Sequence, residues 1–149
     1  DKLQTFVPIQ DYQIDYYKNR FLKYINPGFI KCVTDENDEL VAFAITMPSF
    51  SNALKKINGK VDFLGKLRLL HAKNFNHKGS LYLIGVRPDF QNKGVIAILF
   101  NELQKFYNKF GITEVETNPE LIENTAIQQL WKNYENNQHK NRATFTKQI

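Results

Sequence analysis

LYLIGVRPDFQNKGVI, residues 81–96, decides the reading of this chain. A run of β-favouring residues ends at Arg87-Pro88, and a polar loop that closes on Gly94 opens directly into an amphipathic pattern. Proline has no N–H for a ladder and restricts the residue before it, so the strand stops there. The first N–H groups of the following helix have no internal acceptor and sit at the positive end of its dipole. A strand, a short loop and a helix in this order therefore make a place for a phosphate. Gly85, interior to the strand, marks a bulge or a close backbone approach.

Outward from this stretch the pattern stays regular. Residues 93–110 read as the clearest helix, with Val95, Leu99, Leu103, Phe106 and Phe110 on one face and Gly111 as its stop. Residues 112–117 read as a strand, 123–134 as a helix and 142–149 as a closing strand. Upstream, residues 3–8 are an extended lead-in and 11–25 a helix stopped by Asn26-Pro27-Gly28. Residues 29–34 and 40–47 form a hairpin across the polar turn 35–39, and a long basic connection at 48–80 carries helical stretches at 54–57 and 63–72. Strands interspersed with helices predict a mixed sheet covered on both faces.

With 149 residues there is room for one ordinary core, so a single domain over 1–149 is expected. An apolar fraction of 42% against 23% charged places the chain among globular proteins and away from disordered ones. The one cysteine, Cys32, can form no internal disulfide and reads as a small buried hydrophobe. No apolar run is long enough to span a bilayer, and no signal segment opens the chain, so a cytoplasmic location and no membrane partner are expected. The chain starts without methionine, which reads as a fragment of a longer polypeptide.

Val86, Pro88, Gln91 and Gly94 stand in register with V-x-P-x-x-[QR]-x-x-G-x-[GA]. The segment resembles the acetyl-CoA-binding segment of the GNAT N-acetyltransferase superfamily. The resemblance implies that Ile84, Gly85 and Val86 present backbone to the pantetheine of acetyl-CoA. It also implies that Gln91, Asn92, Lys93, Gly94, Val95 and Ile96 cradle the diphosphate. Ile96 departs from the family, which usually has Gly or Ala there, and a branched side chain at a tight approach costs about 1–3 kcal/mol if nothing shifts.

A second segment, N-x-x-A-x-x-L-Y in the family, falls on Asn124, Ile127, Leu130 and Trp131. By resemblance Asn124 contacts the cofactor arm, with Asn118 as a rival. Trp131 takes the place of a tyrosine that can protonate the departing thiolate; an indole N–H donates a hydrogen bond but is no ordinary acid. Tyr134, three residues on, is the nearest phenol and a candidate catalytic residue, although its spacing also suits the core. Glu116 is the candidate base, which needs a raised pKa to take a proton from an ammonium nucleophile.

The fold implied is α+β in three layers: a GNAT-like, mixed and mostly antiparallel sheet with helices on both faces, lacking the family's first strand and helix. The implied activity is transfer of an acyl group from acetyl-CoA to an amine of a small molecule or protein by direct attack. Strand backbone N–H groups would hold the oxyanion. A noncatalytic acyl-CoA sensor or partner-docking module of the same fold stays open. Residues 116–121 and the Gln128-Gln129-Leu130-Trp131-Lys132 helix also look like GNAT-related proteins of Bacteroidetes-type bacteria, in which this domain ends a longer chain. That makes an upstream domain of the same chain a candidate partner.

Other chemistries find little support. His71, His77 and His139 lack the spacing of metal-ligand pairs and have no cysteine companions, so no metal is expected. The net charge of +5 is modest, and the lysines of the long connection have no aromatic RNA platform beside them, so no nucleic-acid partner is expected. The interleaved leucines and lysines there read as the two sides of an amphipathic lid. Motifs for nucleotide hydrolysis, serine hydrolase chemistry and zinc proteolysis do not occur.

Overall fold

The structure is a computed structural model that describes residues 9–20, 25–59 and 61–147. Its centre is a four-stranded sheet in the order β1-β2-β3-β4, formed by Ile30–Thr34, Leu40–Pro48, Lys78–Val86 and Glu114–Thr117. β1 with β2 and β2 with β3 pair antiparallel, and β4 runs parallel to β3. The mixed, mostly antiparallel sheet expected from the sequence is therefore present.

The long helix, α4 at Val95–Phe110, covers one face of the sheet. Its buried stripe is Val95, Leu99, Leu103 and Tyr107. Leu99 and Leu103 meet Phe29, Ala44, Leu81 and Ile112 in the main core, while Val95 meets Val41 and Ala42 in a smaller cluster beside the loop. Steps of four residues advance slightly more than one helical turn, so the stripe slants along the helix. It ends on Tyr107 and leaves Phe110, expected on the buried face, half exposed. Small residues at Ala42 and Ala44 let the helix approach the sheet.

Of the other helices, α1 spans Asp11–Arg20, shorter than the expected 11–25; residues 21–24 and the lead-in at 3–8 lie outside the described residues. Between β2 and β3, α2 at Ser51–Ile57 and α3 at Phe63–Asn74 pack on each other, and α3 touches β2. The side chain of Asp62 caps α3 by accepting from Gly65 N–H at 2.7 Å. Helix α5 is Thr125–Trp131, shorter than the expected 123–134. No helix among the described residues is long and apolar enough to cross a membrane.

Three expectations are corrected. Of the strand expected at 142–149, residues 142–147 form none and 148–149 lie outside the described residues; Ala143-Thr144-Phe145-Thr146 alternates as a strand would, but Phe145 stands exposed with no strand beside it among the described residues, and β-propensity is realised only when a partner completes the ladder. Cys32 is exposed, because it lies opposite Phe43 on β1, an edge strand, away from the α4 core. The irregularity in β3 falls at Tyr82, which has no partner between the pairs Ile45↔Leu83 and Thr46↔Leu81. Gly85 pairs regularly with Phe43. Its glycine has a different cause: a Cβ there would stand 2.6 Å from Cε1 of the Phe43 ring.

Candidate functional site

The site begins where two parallel strands part. Pairing of β3 with β4 runs from Lys78↔Glu114 to Leu81↔Thr117, and β4 then ends, while β3 continues for five more residues to Val86. Asn118 closes the crotch of this fork by donating from Nδ2 to the carbonyl of Tyr82 at 2.7 Å. Beyond it, β3 pairs only with β2 on its other side. Ile84, Gly85 and Val86 thus lie on a strand whose fourth-strand edge is open.

At the end of β3 a short 3₁₀ turn, Pro88–Phe90, leads into residues 91–94 and then α4. Gly94 takes φ 77° and occupies the N-cap position of α4, with empty space where a Cβ would be. Asn92 also has a left-handed φ of 61°. These two reversals shape a turn at residues 91–94 in which the N–H groups of Asn92, Lys93, Gly94, Val95 and Ile96 make no hydrogen bond of ordinary length and angle with the described residues. N–H groups in this position, at the start of a sixteen-residue helix, are donors of the kind that can hold an anion. Gln91 points its amide back to the Val86 carbonyl at 3.4 Å, and the Lys93 ammonium sits 5.3 Å from the Phe90 ring centre. Val95 is buried in the core and Ile96 is half-buried at the second helical position.

The loop is also tied sideways, a feature the sequence reading missed. The Arg87 guanidinium reaches Asp89 at 2.9 Å, Glu39 at 3.2 Å and Asp35 at 3.3 Å, and lies 4.5 Å over the Phe90 ring. The backbone N–H groups of Asn37 and Glu39, and after them the Arg87 guanidinium, hold the Asp35 carboxyl below its ordinary range against a smaller opposing effect of burial, and Arg87 does the same for Asp89. The only signal in the sequence was an arginine before Pro88 and an acidic hairpin turn, which spacing alone does not bring together.

The second segment is divided between open and committed groups. Asn124 stands at the N-cap position of α5, yet its side chain does not cap the helix and makes no hydrogen bond with the described residues. Trp131 is committed: its indole N–H donates to the Glu120 carboxylate at 2.8 Å, and its ring meets Phe100 edge-on with 5.6 Å between centres. Tyr134 follows the helix and lays its ring 5.8 Å from Phe100. Its hydroxyl forms no hydrogen bond with the described residues.

Glu116 does not have the raised pKa expected of a base. Lys140 and His139 both bond its Oε1, at 2.5 and 3.1 Å, and hold the carboxyl below its ordinary value. The histidines are scattered. His71 stacks on Phe75, His77 Nδ1 lies 3.1 Å from the Gly111 carbonyl, and His139 pairs with Glu116. No group of three candidate metal ligands occurs among the described residues.

The acetyltransferase (GNAT) family model matches residues 2–134. The chain belongs to the GNAT acetyltransferase family. The splayed strands and the loop at 87–94 are thus seen in a member of a family whose matched region includes both. Solved GNAT structures share the fold. Aminoglycoside antibiotic 6'-N-acetyltransferase AAC(6')-Ig from Acinetobacter haemolyticus is 14% identical with a TM-score of 0.59, over 96% of this chain and 85% of its own. AAC(6')-Ih from Acinetobacter baumannii is 12% identical with a TM-score of 0.58, over 97% and 84%. AAC(6')-Iy, solved with a bisubstrate analogue of CoA and acetylneamine, is 15% identical with a TM-score of 0.57, over 98% and 86%. No curated protein matches the chain in sequence.

Proposed function

We propose that this GNAT domain is an N-acyltransferase that binds acetyl-CoA in the fork and on the loop, and passes the acetyl group to an amine that attacks directly. The observation that carries the reading is the conjunction of a β3 edge that β4 leaves unpaired beyond Leu81 with the N–H groups of residues 92–96 at the start of α4, which make no ordinary hydrogen bond with the described residues. These match the two needs of the cosubstrate, an extended amide-bearing arm and a diphosphate. Bound acetyl-CoA supplies the thioester carbonyl that the amine attacks. The backbone of Ile84, Gly85 and Val86 aligns the arm, and a strand N–H in the fork stabilises charge on the carbonyl oxygen, as preorganised donors do in acyl transfer. The loop N–H groups hold the diphosphate, and the Asn124 amide reaches toward the arm.

The proton that the amine loses goes to water, since the hydrogen bonds from Lys140 and His139 lower the proton affinity of Glu116. The departing thiolate is protonated from solvent, because Trp131 has given its N–H to Glu120. Neighbours of the same fold that act on aminoglycosides support a small-molecule amine as acceptor. The same two commitments favour a second reading, an acyl-CoA sensor that holds the cosubstrate without turnover.

Calorimetry with acetyl-CoA and CoA, beside thiol release over a panel of amines that includes aminoglycosides, separates the readings. Binding with turnover supports the enzyme, and binding without turnover supports the sensor. Absence of binding rejects both.

A further inference from the structure

We infer that Arg87 is a positioning residue that fixes the diphosphate-binding loop against the β1–β2 turn and neutralises the carboxylates on the loop's flank. The inference rests on the cosubstrate reading above. Arg87 is the first residue after β3, and its own N–H is bonded to the Val41 carbonyl at 2.8 Å, so its position is set by the sheet. From there the side chain spans to both sides of a gap. On one side is Asp89 within the loop; on the other are Asp35 and Glu39 at the two ends of the hairpin turn. The turn is itself ordered, since Asp35 Oδ1 accepts from the N–H of Asn37 and of Glu39 at 3.0 and 3.1 Å. The guanidinium also covers Phe90, which packs on the Val41–Ala42–Val95 cluster beneath the loop. One cation therefore joins the strand end, the loop and the hairpin.

Ion pairs at a surface usually contribute little, because solvent screens them and two long side chains must be ordered. Arg87 differs through its own partial burial, that of Asp35 and the number of its partners, while Glu39 and Asp89 are 70% and 60% exposed and add less each. Its side chain is 31% exposed and that of Asp35 16%, and a planar fork bonded to three carboxylates is a network of the kind that does hold geometry. Charge gives a second reason. Asp35, Glu39 and Asp89 carry three negative charges next to a loop that must accept a diphosphate. The N–H groups of the loop offer partial positive charge and Lys93 one full charge against these three, so Arg87 supplies the second cation.

Titration of the wild-type domain and of Arg87→Ala with CoA and with pantetheine, which lacks the diphosphate, tests the assignment. Arg87→Ala is expected to weaken CoA about tenfold while pantetheine changes less than about twofold, because preorganisation of the loop matters only to the ligand that uses it. Arg87→Lys is expected to recover only a small part of the loss, since a lysine is a point charge and cannot bridge three carboxylates. If Arg87→Ala does not fold, Arg87→Gln, which keeps much of the side-chain stem over Phe90 but removes the charge and the fork, is expected to show the same selective loss. Equal weakening of both ligands, or unchanged CoA affinity, overturns the assignment. A wild-type protein that prefers CoA no more than pantetheine rejects the diphosphate site itself, and this assignment falls with it.

Discussion

The Phe43 ring lies across Gly85 on the neighbouring strand, so that a Cβ at Gly85 would meet Cε1 at 2.6 Å and Cζ at 3.0 Å. The pair sits in β2 and β3 at the level of the proposed pantetheine slot. A methyl group at Gly85 must push the ring aside. Gly85→Ala should lower stability by about 1–3 kcal/mol, the usual cost of overpacking. Phe43→Leu in the same chain should restore part of it, and a double-mutant cycle by urea unfolding measures the coupling. Additive single effects would mean that the ring moves freely and that the glycine serves something else.

Thr46 is fully buried on β2, and its hydroxyl donates to the Phe29 carbonyl at 2.9 Å. Valine has the same shape but leaves that carbonyl without its donor. Thr46→Val should cost about 1–3 kcal/mol, the penalty of an unsatisfied buried acceptor. Chemical denaturation at neutral pH reads the value directly, and a change below about 0.5 kcal/mol would show that water replaces the hydroxyl.

Glu116 gives a pH prediction with a definite sign. Its carboxyl is depressed first by Lys140 and then by His139. The contribution of this pairing is therefore complete above the ordinary value of 4.5 and disappears as pH falls through the lower, folded-state value. Glu116→Gln should be less stable than the wild type at neutral pH, and the two midpoints should converge below pH 4.5. In turnover, Glu116→Gln should lose less than about tenfold, against about 10²–10⁴ for a true base. A neutral-pH limb of the rate profile that vanishes in Glu116→Gln would restore the residue to the role of base.

Tyr134 offers a parallel test of the leaving-group acid. Its ring packs on Phe100, so Tyr134→Phe keeps the contact and removes only the hydroxyl. Turnover should fall less than about tenfold. A folded variant that retains CoA affinity and loses a thousandfold or more in rate would place a catalytic phenol here, as only a transition-state role produces that split.

Ile96→Gly bears on the departure from the family pattern. The side chain is half-buried at the start of α4, beside N–H groups that face the proposed diphosphate. Removing it should tighten CoA severalfold, provided that the helix cost of glycine, about 1 kcal/mol in an interior, is smaller in the first turn. Calorimetry on the folded variant decides; unchanged affinity would mean that the diphosphate does not approach Ile96.

Local rules made much of this protein legible in the sequence. Strand β3, the loop and α4 follow from proline, glycine and apolar spacing within some thirty residues, because those signals act on neighbouring backbone. The hairpin of β1 and β2 was equally local. What tertiary structure alone decided involves groups far apart in the chain. The fork depends on where β4 stops pairing, which is a matter of register between Leu81 and Thr117. Lys140 and His139 lower the Glu116 carboxyl where a base would need it raised, and Trp131 gives its N–H to Glu120. Arg87 found Asp35 and Glu39 only because the sheet folds the hairpin back on the loop. Periodicity reports which face of an element is apolar; it carries no information on which distant charge will neutralise a carboxylate, and that pairing sets the chemistry available in the site.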